Sequence, residues 1–584
     1  MYNIVVLGLL PIATLWVTKE LINIVSSILL KQSMDYNKVF WLLILQFLII
    51  VCSSGIRLIQ EYIDKHTEIK IDYNIQKIIS NKTSSVPLAY FDMPEFYDHL
   101  NRIQGSVGNR FLAPIKNSFQ IGQATIRLIS YLAFLLTIHW SLLLLSVAAA
   151  IPLFIIQKKY GKRRFLLLYN QTPKAREGQY ITSLLTNRES AKEIRLFQLG
   201  GYLLDRWSKT YFENARESLR LLRRNQMSNL GLEMFSGLLL TCSAGIIVWF
   251  TRSSTVRIGD FVVISQAVQG TQTSINQISS LVAQIYEESL YIQDFYKFIQ
   301  FKVPILERSS QSEYPFPTPL QSGITFDNVA FRYTGSFTDS ISEINFFIRA
   351  GEKIAIVGEN GSGKTTLIKC LMGLYPVSSG RIYFDGINIE EIKEQDLRKN
   401  ITVVFQDFMR YSFSVRDNIA FGNVERYGDI EEIKKVASKT GVDKFVKHFS
   451  KGYDTYLGKY LINGEDLSGG QWQKIALARL LFRGGEVIIL DEPTASLDPR
   501  AEIELFKQFH TLTKDKTTIF ISHRMAAAKM ADRILVMKEG RLVEIGTHKE
   551  LMENGQEYYR LYQLQSHWYS DNNISQQEVI GWMK

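Results

Sequence analysis

One stretch, GENGSGKTT from Gly358 to Thr366, has residue types and spacing suited to holding phosphate groups. It fits the pattern G-x-x-x-x-G-K-[ST], follows the apolar run Lys353–Val357 and precedes a helical pattern beginning at Leu367. A strand, a glycine turn and a helix start are the context in which this spacing works. Glycines let the backbone approach the phosphates, and the amides at the helix N-terminus point at negative charge. The candidate contacts are Gly358, Asn360, Gly361, Ser362, Gly363, Lys364, Thr365 and Thr366. Lys364 would reach the β- and γ-phosphates, and the hydroxyl of Thr365 would ligate Mg²⁺.

Such a loop needs a sheet behind it. Short β-branched runs at Gly323–Phe326, Lys353–Val357, Ile401–Phe405, Val487–Leu490, Thr518–Ile521 and Arg533–Met537 alternate with helical stretches. That alternation predicts an α/β domain with its ligand at the carboxyl ends of the strands. Before it, Val303–Gly323 combines prolines, serines and charges, which predicts an exposed linker.

Most long apolar runs lie before residue 300. Six segments have the length that crosses a hydrocarbon core, about 20 helical residues: near Ile4–Ile28, Val39–Ile59, Phe119–Ile138, Trp140–Ile156, Leu230–Thr251 and Phe261–Ile285. The first lacks a basic leader and a small-residue cleavage site, so it reads as a span rather than a cleaved signal. The formal charge of +10 concentrates at a membrane edge. Lys158, Lys159, Lys162, Arg163 and Arg164 follow the fourth span, and Arg220, Arg223 and Arg224 precede the fifth. Positive flanks mark the cytoplasmic side. The tight turn His139–Ser141 then lies outside and both termini inside, and topology accounts for the charge better than nucleic acid does. The two long loops keep helical patterns at Glu61–Lys82, Asn170–Thr186 and Leu203–Arg224, so the spans are expected to continue as helices into the cytoplasm. Phe261 to about Phe301 reads as one such helix. Lys19, Glu20 and Glu233 are ionisable groups at or near membrane depth, where a cavity, a partner or a helix end must accommodate them. Cys52, Cys242 and Cys370 have no paired spacing and imply neither disulfides nor zinc.

With these features in place, the chain resembles the ATP-binding cassette family, by motif over Ile324–Gln563 and by topology in the membrane half. The most specific segment is LSGGQ, Leu467 to Gln471, continuing as WQKIALAR; VIILDEPTASLD follows. The resemblance implies ATP and Mg²⁺ as cofactors. It places Asp491 in the metal shell, Glu492 as the carboxylate polarising the attacking water, and His523 in FISHR as the switch histidine. Gln406 in VVFQDF matches the glutamine that senses Mg²⁺ and the membrane domain, Tyr333 the aromatic stacked on adenine, and Ser496-Leu497-Asp498 the loop crossing a dimer interface. Ser468, Gly469, Gly470 and Gln471 would complete the site of an opposite subunit. A serine and two glycines starting a helix make an anion site with no phosphate of its own. One cassette without an internal repeat therefore requires a second copy or a related partner, and intact motifs favour a homodimer. LAYFDMPEFYDHL (Leu88–Leu100) and LLTNRESAKEIRLFQLG (Leu184–Gly200) resemble exporter loops that dock against cassettes. Gly458–Gly464 departs from the TEVGERG-like stretch of many exporters, so the acidic contact to the coupling loops is expected to be replaced; combined with FDMPEFYD and LSGGQWQKIALAR, the chain resembles the peptide and lantibiotic exporter branch. No cysteine-peptidase segment precedes the first span, so leader removal would fall to another protein.

The expected architecture is a six-span α-helical membrane domain (residues 1–302), a linker (303–322), an α/β P-loop nucleotide-binding domain (323–565) and a tail (566–584), of exporter type with long cytoplasmic helical extensions. The expected activity is ATP-driven export across the cell membrane by alternating access, of a lantibiotic-like peptide or, alternatively, of drugs or lipids. A regulatory or channel-like ATP-gated protein would lack a hydrolytic group or carry an added regulatory segment; a soluble nucleic-acid ATPase would lack the spans. An importer would rarely fuse spans and cassette in one chain.

Overall fold

The computed structural model describes residues 2–29, 36–103, 107–136, 174–251, 258–301, 313–461, 463–491, 513–522 and 525–570, with a few single positions between 159 and 171 and Thr511. The chain divides into two units, Met1–Val86 with Met93–Phe301, and Pro87–Asp92 with Lys302–Lys584.

The first unit is helical: α1 (Tyr2–Leu29), α2 (Tyr36–Ser85), α3 (Pro94–Ile103), α4 (Val107–Leu136), α5 (Gly200–Thr251) and α6 (Ile258–Gln300). At about 1.5 Å per residue, the 50 residues of α2 run far beyond a bilayer core. This agrees with spans that extend as helices past the membrane. Leu15 of α1, Tyr131 and Leu135 of α4 and Val263, Ile264, Ala267 and Val268 of α6 form a buried cluster. On α2, Phe40, Trp41, Phe47 and Leu48 are exposed, a face suited to hydrocarbon rather than water. Three described segments have the length and composition to cross a membrane: Val5–Leu29, a stretch of Tyr36–Ser85, and Gly108–Leu136. The fifth and sixth expected spans lie on α5 and α6; Trp140–Ile156 and the turn before it lie outside the described residues. Lys19 and Glu20 are half-buried on α1, whereas Glu233 is exposed on α5. Among the described residues, polar contacts between helices also involve side chains not singled out by sequence, with Arg127 Nη1 3.5 Å from Gln277 Oε1 and Asn117 Nδ2 3.4 Å from Gln284 Oε1.

The second unit holds two sheets. One is antiparallel, in the order β2 (Ile341–Arg349), β1 (Gly323–Phe331), β4 (Ser379–Phe384), β5 (Ile387–Asn388). The other runs β10 (Arg541–Gly546), β9 (Arg533–Lys538), β3 (Lys353–Gly358), β8 (Thr517–Ile521), β7 (Val487–Asp491), β6 (Ile401–Val404). From β9 to β6 its pairings are parallel, and every residue of β3, β7 and β8 is buried. Fully covered strands of this kind read as continuous apolar runs. Helix α7 (Lys364–Leu371) follows β3, beginning three residues before the expected Leu367. A helical layer of α8 (Val415–Ala420), α9 (Ile430–Thr440) and α10 (Gly469–Arg483) closes on Val415, Ile419, Val436, Trp472 and Ile475. Helices α11 (His548–Asn554) and α12 (Glu557–Ser570) cover β3 and β9 through Leu551 and Tyr558.

Two boundaries differ from expectation. From Glu313 onward the supposed linker is anchored: Phe316 and Leu320 are buried, the Phe316 ring sits 5.0 Å from that of Phe384, and Tyr314 bridges to Ile392. Apolar side chains spaced among the prolines hold it to the antiparallel sheet. Helix α12 also runs through Ser570, past the expected cassette end at 565.

Candidate nucleotide site

Strands β3 and β7 flank β8 in the parallel sheet, so Gly358 and Asp491 leave it at the same edge, where α/β sheets place their ligands. Gly358 has φ +152°, and a Cβ there would lie 2.2 Å from Met537 O; Gly363 has φ +96°, and its Cβ would meet Ile341 Cγ2 at 2.6 Å. Only glycine permits both the left-handed backbone and the close approach. The loop wraps the buried Lys364, whose Nζ donates to Gly358 O at 3.0 Å, Glu359 O at 2.8 Å and Ser362 Oγ at 3.3 Å. An ammonium group thus occupies the loop's centre, and the amides that open α7 adjoin it. The β9–β10 turn braces this arrangement, since Gly540 N donates to Ser362 O at 3.2 Å and Gly540 O accepts from Ser342 N at 2.9 Å.

The loop opens on a cavity of about 840 Å³ lined by Asn360, Gly361, Gly363, Lys364, Thr365 and Thr366, together with Gln406, Thr338–Ser340 and Glu539–Gly540. Thr365 and Gln406 are exposed to it, whereas Asp491, 2% exposed, ends β7 and is not among the lining residues. A threonine hydroxyl, an amide oxygen and a carboxylate are hard oxygen donors, a set that suits Mg²⁺ better than a soft metal. Tyr333 does not line the cavity: its hydroxyl lies 3.2 Å from Thr366 Oγ1, and its ring meets Tyr375 edge-on at 5.5 Å. Behind the loop, burial pushes the Cys370 thiol up to about 12, so this cysteine is an inert packing group.

Ser468 caps α10. Its Oγ accepts from Gln471 N at 3.3 Å while Gln471 Oε1 accepts from Ser468 N at 2.9 Å, a reciprocal capping box. Gly469 and Gly470 form the first turn, as expected of a helix that starts on serine and two glycines. These four residues do not line the cavity of their own chain. Glu492, His523 and Ser496–Asp498 lie outside the described residues.

Sequence reading missed two residues near this site. Tyr375, in LMGLYPVSSG, is buried against Tyr333 and Phe331 and donates to Asp92 Oδ2 at 2.6 Å, which holds the turn Leu88–Asp92 within this unit. Arg560 of α12 donates to Glu359, the loop's second residue. A lone aromatic after a helix and a lone acid inside a phosphate loop were the available signals. Neither names its partner.

Comparison with known proteins agrees with this geometry. The family model for the ABC transporter matches residues 341–495. The chain is 34% identical over 550 residues to the subtilin transport ATP-binding protein SpaT of Bacillus subtilis, covering 94% of this chain and 88% of that one. It is 29% identical over 565 residues to the nisin transport ATP-binding protein NisT of Lactococcus lactis subsp. lactis, covering 96% and 92%. A bacterial Atm1-family ABC exporter solved with ATP bound shares the fold, with a TM-score of 0.83 over 98% of both chains at 20% identity. The chain therefore belongs to the ABC transporter family, as an ATP-hydrolysing membrane exporter that joins a helical membrane unit to one nucleotide-binding unit.

Proposed function

We propose that this transporter exports a lantibiotic-like peptide as a homodimer, crossing the cell membrane with six spans per chain and keeping its cassettes and both termini cytoplasmic. The likeness to SpaT along 94% of the chain carries the cargo reading, because it includes the membrane half that must meet the cargo. In the nucleotide site, Lys364 and the amides of Gly358–Thr366 hold the phosphates of ATP, and Tyr333 stacks on adenine. Thr365, Gln406 and Asp491 hold Mg²⁺. Glu492 polarises the attacking water and His523 contacts the γ-phosphate. Ser468, Gly469, Gly470 and Gln471 of a second subunit close the sandwich. ATP drives the cycle only if it favours the closed dimer over the open one, and a phosphate site divided between two subunits supplies that difference.

The test is peptide uptake into inside-out proteoliposomes. ATP-dependent accumulation of a lantibiotic-like peptide is expected, with Glu492→Gln lowering turnover by about two orders of magnitude or more while ATP still binds. Movement of labelled lipid without peptide accumulation would overturn the cargo reading, and normal turnover in Glu492→Gln would remove that residue from its role.

A further inference from the structure

An acidic side chain beside a polyphosphate raises the cost of binding it, yet Glu359 is the second residue of the loop, and its own carbonyl accepts from Lys364 Nζ at 2.8 Å. Its carboxylate is met from the far end of the unit. Arg560 Nη2 donates to Glu359 Oε1 and to Glu557 Oε1, and Lys538 Nζ lies 3.1 Å from Glu557 Oε2. Two cations therefore offset two carboxylates. The helix presenting Arg560 is fixed in place: Tyr558 is fully buried, its hydroxyl sits 2.8 Å from His548 Nδ1, and its backbone N–H donates to Glu544 Oε1 at 3.2 Å. About two turns beyond Tyr558, Gln565 Oε1 accepts from Met525 N at 2.9 Å, two residues beyond His523. Helix α12 thus touches the phosphate loop through Arg560 and the chain after β8 through Gln565.

We propose that Arg560 is a positioning residue of the nucleotide site, which neutralises and holds aside the Glu359 carboxylate so that the phosphate loop accepts ATP, and that α12 thereby sets nucleotide affinity. This rests on the reading of Gly358–Thr366 as the phosphate loop. Both side chains are about half exposed, 48% and 58%, so water and salt screen the pair and the effect is modest and ionic-strength dependent. With Arg560 removed, Glu359 stands as an uncompensated charge next to Asn360, the first loop residue that lines the cavity.

The experiment measures ATPase kinetics and ATP binding of the full-length protein in nanodiscs for Arg560→Ala, Glu359→Gln, the double variant and Lys364→Ala, at low and high salt. Arg560→Ala is expected to raise KM and Kd for ATP roughly two- to fivefold at low ionic strength, falling on KM more than on kcat and fading at high salt. Adding Glu359→Gln should return both constants to near wild type. The inference is overturned if Arg560→Ala binds ATP like wild type at low salt, or if the double variant stays as weak as Arg560→Ala, which would mean that Arg560 acts through the folding of α12 and not through the charge of Glu359. Unimpaired ATP binding by Lys364→Ala would instead sink the phosphate-loop reading itself.

Discussion

Tyr375 carries a hydroxyl whose only described hydrogen bond is the 2.6 Å donation to Asp92, while its ring packs against Tyr333 and Phe331. Burial, reinforced by the bond to Asp92, pushes its phenol up, so it stays a donor throughout the physiological range. Replacing it with Phe keeps the packing and deletes one charge-assisted bond, a loss of about 1.5–3 kcal/mol. That predicts amide hydrogen exchange in Leu88–Asp92 roughly tenfold faster or more in Tyr375→Phe, with β3 and β8 unchanged. Unaltered exchange in the turn would mean that something other than this bond holds it. The contrast with Lys364 shows what a sequence can carry at this scale. Lys364 bonds to residues two to six positions away, so backbone geometry ties its role to local spacing. Tyr375 and Arg560 find partners 283 and 201 positions distant, and no local pattern encodes such pairs.

At the scale of elements, the parallel strands were legible because burial on both faces leaves continuous β-branched runs, whereas β2, with its alternation of buried and exposed positions, and β4, with three exposed residues at its start, were not read. The anchored stretch from Glu313 was missed because prolines masked the spacing of Phe316 and Leu320. The start of α10 was read correctly, but its chemistry is double: Ser468 caps the helix, and it is also assigned to the phosphate of an opposing site. Ser468→Ala removes the cap and should cost about 1 kcal/mol of stability. Ser468→Asp keeps a capping oxygen and a favourable charge at the helix N-terminus, yet in the proposed dimer it would set a carboxylate against the opposing γ-phosphate. The two roles separate on this comparison. Thermal stability close to wild type with ATPase lost is expected for Ser468→Asp, and retained ATPase would reduce Ser468 to a cap.

For the whole molecule, the decisive question is whether the site is divided between subunits. The cavity at Gly358–Thr366 is lined by its own loop and the β9–β10 turn, and Ser468–Gln471 are absent from its lining. A two-fold dimer with an isologous interface would bring each signature helix to the other chain's phosphate loop, using the same surface twice. Complementation tests this directly. Lys364→Ala homodimers have both phosphate loops broken, and Ser468→Asp homodimers have both signatures broken, so each preparation alone should be inactive. A heterodimer of the two joins one intact loop to one intact signature across the interface and concentrates both defects in the other site. Co-expression with distinct tags, followed by tandem purification of the mixed dimer, is therefore expected to recover ATPase activity, at about half the wild-type value if the two sites act independently. If each site were complete within one chain, every subunit of the mixed dimer would carry a defect and no activity would return. Because neither substitution repairs the other within a chain, recovery has only one source, a site built from two copies.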